Sequence, residues 1–530
     1  MKRIALLVVF IVFSANLSLF AGEETDKEAE SVQIPLRFIC ENQGAELTWD
    51  SKSKAVTVKN DGSTIYFTIG SKNVNINGKQ VTLDREIQPV NGRVKMPLSL
   101  LNEGMGANLT PDDCIKILAV KYVDLLKQNA ASDCRFMCSD YLSQALTPEL
   151  VKRIGEGLGS YGKMAKVDVT INGNGVHRNA VVRYYSDVAG LLDCIVRFDL
   201  KGCIDDFMLS ASDTGTYMTP DYDKAENYTE KEVVIGEGEW RLPGVLTIPR
   251  GEGPFPAVVL IHGSGPNDKD ETLGPLKPFR DLAVGLASNN VAVLRYNKRT
   301  YEHNIKFGAD EKVTVREETV DDAISAVNFL SKVPGIDPSR IFVIGHSQGG
   351  MLMPRIINAD TGGGIKGAVI MSGNTRPLWD LMDEQYKYLV GLNIATEEQR
   401  EFYKSQFDIL KAPEFSPDNP PKGFTLGAPY WWADLKSYDP AETVKGIVKP
   451  LLILQGARDY QVSAGKDFQD WKDALAGKDN VSFKLYPKLN HMYTEGEGDM
   501  STPLEYNKQA NIPQYVIDDI AKWVNKVSEQ

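Results

Sequence analysis

The spacing of apolar residues changes several times along the chain. Ile4 to Phe13 is an unbroken apolar run behind Lys2 and Arg3 and ahead of the small residues Ala21 and Gly22, the layout of an export signal cleaved near Ala21. Ser14, Asn16 and Ser18 interrupt that run before it reaches the ~20 residues of a spanning helix. Residues 1–21 are therefore read as a signal peptide, with no membrane span after its removal and a secreted, extracellular product. From Lys54 to Leu83, β-branched and polar residues alternate between Asp-Gly and Asn-Gly turns, the period of antiparallel hairpins. The stretch Cys114 to Gln128 carries apolar residues at helical spacing, and Thr147 followed by Pro148 predicts a capped helix start. Lys166–Tyr185 and Cys194–Ser210 then alternate as antiparallel strands, with His177 between two of them, where a surface position is expected.

After the polar linker 214–230, short Val/Ile/Leu-rich runs recur, each separated by helical or loop sequence: "GVLTIPRGEGPFPAVVLIHG", "VAVLRYNK", "RIFVIGH", "IKGAVIMSG" and "KPLLILQG". Continuous apolar runs alternating with helices predict an α/β domain whose parallel sheet is covered on both faces. About 73 residues separate "IMSGNT" from "KPLLILQG", too many for a simple crossover. Two amphipathic patterns, 376–391 and 396–411, predict a helical cap over about 374–446. Tyr430, Trp431 and Trp432 in that segment either line an acyl or aryl pocket or pack the cap onto the sheet.

At 530 residues, 42% hydrophobic and 25% charged, the chain reads as two to four globular domains. A net charge of −12 without a basic cluster excludes a nucleic-acid partner. The six cysteines all lie in the first 203 residues, and their spacing names no disulfide framework. Cys134 and Cys138 stand four apart, but lacking nearby ligand partners they read as buried thiols or a disulfide, not a metal pair.

The chemistry concentrates in "IFVIGHSQGG". Ser347 stands at a strand-to-helix turn with Gly345 and Gly349 as second neighbours, where any Cβ would crowd the tight turn. A serine nucleophile needs a base, and of the five histidines only His491 follows it in the chain. Asp459, just past the apolar run ending at Gly456, is the expected partner of that base, with Asp470 and Asp499 as weaker alternatives. The oxyanion donors are expected at the backbone N–H of Gln348 and of Ser264, in the Gly-rich loop after "AVVLIHG". His262 is read as a support for that loop. The acidic run "NDKDE" beside it reads as solvated surface; were it to face the cleft, Asp268, Asp270 or Glu271 could hold a substrate ammonium.

Three resemblances bear on these readings. "IPLRFICENQGAELTWD" and "MPLSLLNEGMGANLTPD" are copies at an offset of 62, each read as a helix, a Gly turn and a strand. With the hairpins between them, residues 32–112 resemble the copper amine oxidase N-terminal-like domain of exported bacterial proteins. The segment has no histidine and no ligand set, so metal binding is not implied and a wall-associated or spacer role is expected. Residues 114–213 loosely resemble a small α+β domain of the nuclear-transport-factor type. "LIHGSGPND", "GHSQGG", "GARDYQV" and "LNHMY" together resemble bacterial α/β-hydrolase esterases related to dienelactone hydrolases and prolyl-oligopeptidase-like serine peptidases, over 220–530. That resemblance implies an α/β-hydrolase fold with Ser347 as nucleophile, Asp459 as acid, His491 as base, the Ser264 and Gln348 amides as oxyanion hole, and no cofactor or metal. The expected activity is a secreted serine carboxylesterase acting on a small-molecule ester. The rivals are a serine exopeptidase or aminopeptidase on the same triad, and a non-catalytic cell-wall binding protein.

Overall fold

The computed structural model describes residues 33–89, 93–211 and 215–530. The expected signal peptide lies outside them. No described helix is long and apolar enough to cross a membrane. Contacts divide the chain into one compact unit within Asn16–Ser212 and another running from Asp213 to Gln530.

In the N-terminal unit the alternating segment forms an antiparallel meander, Glu46–Asp50, Ala55–Asn60, Ser63–Thr68, Asn73–Ile76 and Lys79–Thr82. The two repeat copies are joined through strands the sequence pattern did not reveal: Gln33–Pro35 pairs antiparallel with Lys95–Pro97, and each leads directly into a helix, Leu36–Asn42 or Leu98–Met105. The first copy ends in a strand as expected, but the second does not. There Thr110 accepts from Asp113 N–H while the Asp113 carboxylate accepts from Thr110 N–H, a reciprocal cap that starts the helix Pro111–Lys127. Pro111 also lacks the N–H a strand ladder needs.

Residues Met164–Gly173, Arg178–Ser186, Gly190–Phe198 and Ile204–Ala211 form a four-stranded antiparallel sheet in sequence order. His177 is a correction to the surface expectation: it is 3% exposed, with Nε2 3.0 Å from Asp205 Oδ2. The Asn174 side chain accepts from the backbone N–H groups of Val176 and His177, tightening a turn that sends the imidazole inward. All six cysteines are free thiols, and burial pushes those of Cys40, Cys114, Cys134 and Cys194 up to about 12.

The C-terminal unit is built on one eight-stranded sheet. Its strands are β1 (Tyr228–Ile235), β2 (Leu242–Pro249), β3 (Phe255–Ile261), β4 (Ala292–Tyr296), β5 (Ile336–His346), β6 (Ile365–Met371), β7 (Leu451–Gly456) and β8 (Val481–Tyr486). They lie in the order β1-β2-β4-β3-β5-β6-β7-β8. From β4 to β8 all pairings are parallel, as the apolar runs predicted, but β2 runs antiparallel to both of its neighbours. The short turn between β1 and β2 leaves no room for a crossover helix, so those strands form a hairpin. β1 begins inside the expected linker, at Tyr228, and as an edge strand with residues 229–232 exposed it shows no apolar run.

Alternation along the central strands divides the core. Ile341, Val343, Ala368, Ile370 and Ile453 face one layer, with Phe468 and Trp471 packed in it. Phe342, Ile344, Val369, Met371 and Leu454 face the other, against the helices Pro278–Ala287 and Gln514–Ser528. Each fully buried large aliphatic side chain contributes roughly 1.5–3 kcal/mol. That double-sided burial fixes the strand ends from which the chemistry projects.

Between β6 and β7 the expected cap is present as helices Leu378–Gly391, Glu397–Lys411, Pro429–Lys436 and Pro440–Val444. It has a small core of its own around Phe407, Leu410 and Trp432.

Candidate active site

Buried β5 ends at His346, and the next residue turns sharply. Ser347 has φ 53° and ψ −114°, a conformation that L residues seldom adopt, before the helix Gln348–Met351 begins. The flanking glycines make the turn feasible. A Cβ on Gly345 would lie 2.4 Å from Gly349 O, and one on Gly349 would lie 2.4 Å from Ile261 O. Two anchors hold the turn: Ser347 N–H donates to Met371 O at 2.9 Å, and Met351 N–H donates to Ser347 O at 2.8 Å. The serine itself remains partly exposed.

His491 and Asp459 converge from the loops after β8 and β7. His491 Nδ1 is 2.7 Å from Asp459 Oδ2, with the two residues 4% and 1% exposed. Asp459 is itself fixed: Oδ1 accepts from Gln461 N–H at 2.8 Å and Val462 N–H at 3.0 Å, and Oδ2 accepts from Gln455 Nε2 at 3.1 Å. The histidine loop is tied by Asn490 Oδ1, which accepts from Met492 and Thr494 N–H. Carboxylate contact at Nδ1 places the proton there and leaves Nε2 as the acceptor nitrogen. Among the described residues neither His491 Nε2 nor Ser347 Oγ bonds to a protein group, and such contacts often tighten only around substrate. The His491 ring centroid lies 4.7 Å from that of His346, the residue preceding Ser347. The alternative acids are engaged elsewhere or exposed. Asp470 accepts from Thr375 Oγ1 at 2.9 Å, and Asp499 sits on an exposed loop.

The loop after β3 comes close to the serine, since a Cβ on Gly263 would be 3.2 Å from Ser347 Cβ. Among the described residues, the N–H groups of Ser264 and Gln348 donate to no protein acceptor. The adjacent "NDKDE" run is not solvated surface, which corrects the sequence reading. Asp268, Asp270 and Glu271 are 2%, 6% and 4% exposed, and each has an internal partner. Asp268 accepts from Thr272 Oγ1 at 2.8 Å; Asp270 accepts from Arg295 Nε at 2.8 Å; Glu271 Oε1 accepts from Gly263 N–H at 2.6 Å. The charges are buried because buried partners meet them, and none is left for a substrate ammonium. His262 supports the loop as expected: its Nε2 is 3.0 Å from Asp268 O, and burial pulls its pKa down to about 4.

Two sets of residues escaped the sequence reading. Glu271 Oε2 lies 2.9 Å from His346 Nδ1, and His346 Nε2 lies 3.0 Å from His491 O. Burial opposes charge on both groups, but mutual attraction prevails, raising the His346 pKa and lowering that of Glu271. The second set is built on Lys298, 2% exposed, whose Nζ reaches Glu318 Oε1 at 2.7 Å, Gly263 O at 2.8 Å and Gln348 Oε1 at 3.2 Å. Glu318 Oε2 also accepts from Gln348 Nε2 at 3.1 Å and from the Trp431 indole N–H of the cap. The cap aromatics thus divide their work: Trp432 packs the cap core, Tyr430 bonds to Asp418, and Trp431 reaches the floor of the site. The only sequence signal for Lys298 was its position just past β4. Around Ser347 the described side chains form no group of three His, Cys, Asp or Glu close enough to share one ion.

Two family models match parts of the chain. Residues 258–503 match the family model described as alpha/beta hydrolase family, and residues 26–117 match that of the copper amine oxidase N-terminal domain. Esterase EstD of Thermotoga maritima is 40% identical over 338 residues, which span 64% of this chain and 77% of that protein. Among solved structures, Est1E from Butyrivibrio proteoclasticus is 16% identical with a TM-score of 0.36, covering 56% of this chain and 99% of its own. A Pyrobaculum calidifontis esterase is 15% identical with a TM-score of 0.38, covering 57% and 86%. With a relative of that identity and coverage, the chain belongs to the alpha/beta hydrolase family and is a hydrolase related to its esterases.

Proposed function

We propose that this hydrolase is a serine carboxylesterase working through an acyl-enzyme. The observation that carries the reading is the 2.7 Å Asp459–His491 pair, delivered by two loops to the end of the sheet where Ser347 is held on its strained turn. Ser347 Oγ attacks the ester carbonyl as His491 Nε2 takes its proton. The tetrahedral oxyanion is received by the Ser264 and Gln348 N–H groups, and the proton passes to the departing alcohol. Water, activated by the same histidine, then releases the acid. Asp459 holds the imidazole in the Nδ1–H form and stabilises the imidazolium. The sequence feature that favoured an exopeptidase was an open acidic run, and those carboxylates have internal partners.

The test is a p-nitrophenyl acyl-ester series, from acetate upward, on the full chain and its Ser347→Ala variant, with amino-acyl p-nitroanilides alongside. Ester turnover abolished by the substitution is the expected result. Ester turnover that survives it rejects the nucleophile, and an anilide specificity constant equal to or above the ester's rejects the esterase assignment.

We also propose export, directed by residues 1–21, and contact with the cell wall through the N-terminal unit. Mature protein recovered outside cells should begin near Gly22. Failure to co-sediment with purified wall material above a control protein removes the wall contact.

A further inference from the structure

We propose that Lys298 is a positioning residue of the oxyanion hole, holding both of its donors at once; this rests on the Ser347 reading above. The argument starts from the peptide bond. Gly263 C=O and Ser264 N–H belong to one planar unit and point in opposite directions. Lys298 Nζ, 2.8 Å from Gly263 O, is the nearer of two donors to that oxygen, the other being Asn267 Nδ2 at 3.2 Å, and so helps fix the direction of the Ser264 N–H. A cation on the carbonyl oxygen also polarises the amide, making that N–H a stronger donor. On the other flank of the same residue, Gly263 N–H is held by Glu271.

The second donor is tied to the same ammonium. Gln348 Oε1 accepts from Lys298 at 3.2 Å, and Gln348 Nε2 donates to Glu318 at 3.1 Å, so the side chain below the Gln348 N–H is clamped at both ends. Lys298 thus directs its three N–H donors to Gly263 O, Gln348 Oε1 and Glu318 Oε1. The site is buried, with Lys298 2% and Glu318 4% exposed, where electrostatic interactions are strong and reorganisation is small. Glu318 lies on the π-helical turn Arg316–Val320, and its remaining oxygen takes the Trp431 N–H. Cap and oxyanion loop are therefore joined through one ion pair. Substrate need not touch Lys298 for this role; the residue acts through the two amides.

The test separates transition-state from ground-state binding. A trifluoromethyl ketone adds reversibly to the serine and places an oxyanion between the donors, whereas the matching secondary alcohol only occupies the pocket. In Lys298→Met, kcat should fall about 10²-fold and inhibition by the trifluoromethyl ketone should weaken by a similar factor, with alcohol inhibition and KM within about twofold. If both inhibitors weaken together, or neither does, Lys298 is not an oxyanion positioning residue. Should the lone substitution unfold the chain by leaving Glu318 unpaired, Lys298→Met/Glu318→Gln removes both charges and is held to the same criterion. Gln348→Leu, which retains the ion pair and cuts one tether, should lower the ketone-to-alcohol preference about 10-fold; an unchanged preference counts against the proposal. Ser347→Ala separates the two failures. If Ser347→Ala still prefers the ketone, the nucleophile reading fails. If that preference is lost in Ser347→Ala but kept in Lys298→Met, only the role of Lys298 fails.

Discussion

Two histidines with carboxylate partners lie side by side at this site, their rings 4.7 Å apart, and they are built for opposite purposes. In His491, Nδ1 faces Asp459 at 2.7 Å and Nε2 has no protein partner among the described residues. In His346, Nδ1 faces Glu271 at 2.9 Å and Nε2 faces the His491 carbonyl oxygen at 3.0 Å. On His346, Nε2 is engaged by a backbone carbonyl oxygen and Nδ1 lies against a carboxylate, so neither nitrogen is open to take a proton from a substrate-bound serine. A carboxylate alone does not make a histidine a base; an unengaged nitrogen does. His346 instead links the Ser347 turn, the oxyanion loop through Glu271, and the backbone of the His491 loop.

The comparison can be broken first at Asp459. Asp459→Asn removes the acceptor that selects the Nδ1–H tautomer, and turnover should fall on the order of 10⁴-fold with substrate affinity nearly unchanged. Steady-state kinetics on the ester series decide it. A variant within tenfold of the parent would mean that the pair does not orient the base.

Glu271→Gln should act on stability more than on turnover. It retains an acceptor for Gly263 N–H but takes from the buried His346 the carboxylate that favours its charged form, which should cost up to about 3–5 kcal/mol in urea unfolding. The effect has a pH window. The Glu271 pKa is depressed, so its contribution is present above the ordinary carboxyl value, about 4.3, and is lost as pH falls through its folded value. The His346 pKa is raised, so its contribution is complete below the ordinary imidazole value, about 6.5, and is lost as pH rises through its folded value. The gap between parent and variant should therefore be widest at about pH 4.5–6.5 and narrow on both sides. A gap that stays constant with pH would show that the two groups do not exchange charge stabilisation.

Much of this was legible in the sequence for local reasons. The Ser347 turn announced itself through Gly345 and Gly349, whose missing side chains are demanded by backbone at 2.4 Å. Strands β3 to β7 were visible as apolar runs, with β2 in the same run as β3, while β1 was not, because an edge strand with one wet face has no continuous apolar run. The acidic run misled for a related reason. Composition shows charge but not its partner, and Arg295, which meets Asp270, lies 25 residues further on. Lys298, Glu318 and Trp431 were invisible as a group because three separate segments contribute them, and only the packing of the cap and the β4 end onto the Ser347 loop unites them.

The smallest expected effect sharpens the assignment from the other side. Asp499 is the weaker alternative acid that follows His491 in the chain, eight residues on, out of the expected Ser, acid, His order. It is exposed on a loop, and among the described residues no bond joins it to His491. Charge–charge interactions at exposed sites contribute about 0–1 kcal/mol. Asp499→Asn should therefore leave kcat/KM within about twofold, in a parallel assay where Asp459→Asn loses about 10⁴. Equal losses in the two variants would mean that the loop carrying Asp499 reaches the base during turnover, and the fixed Asp459–His491 pair would no longer account for the chemistry alone.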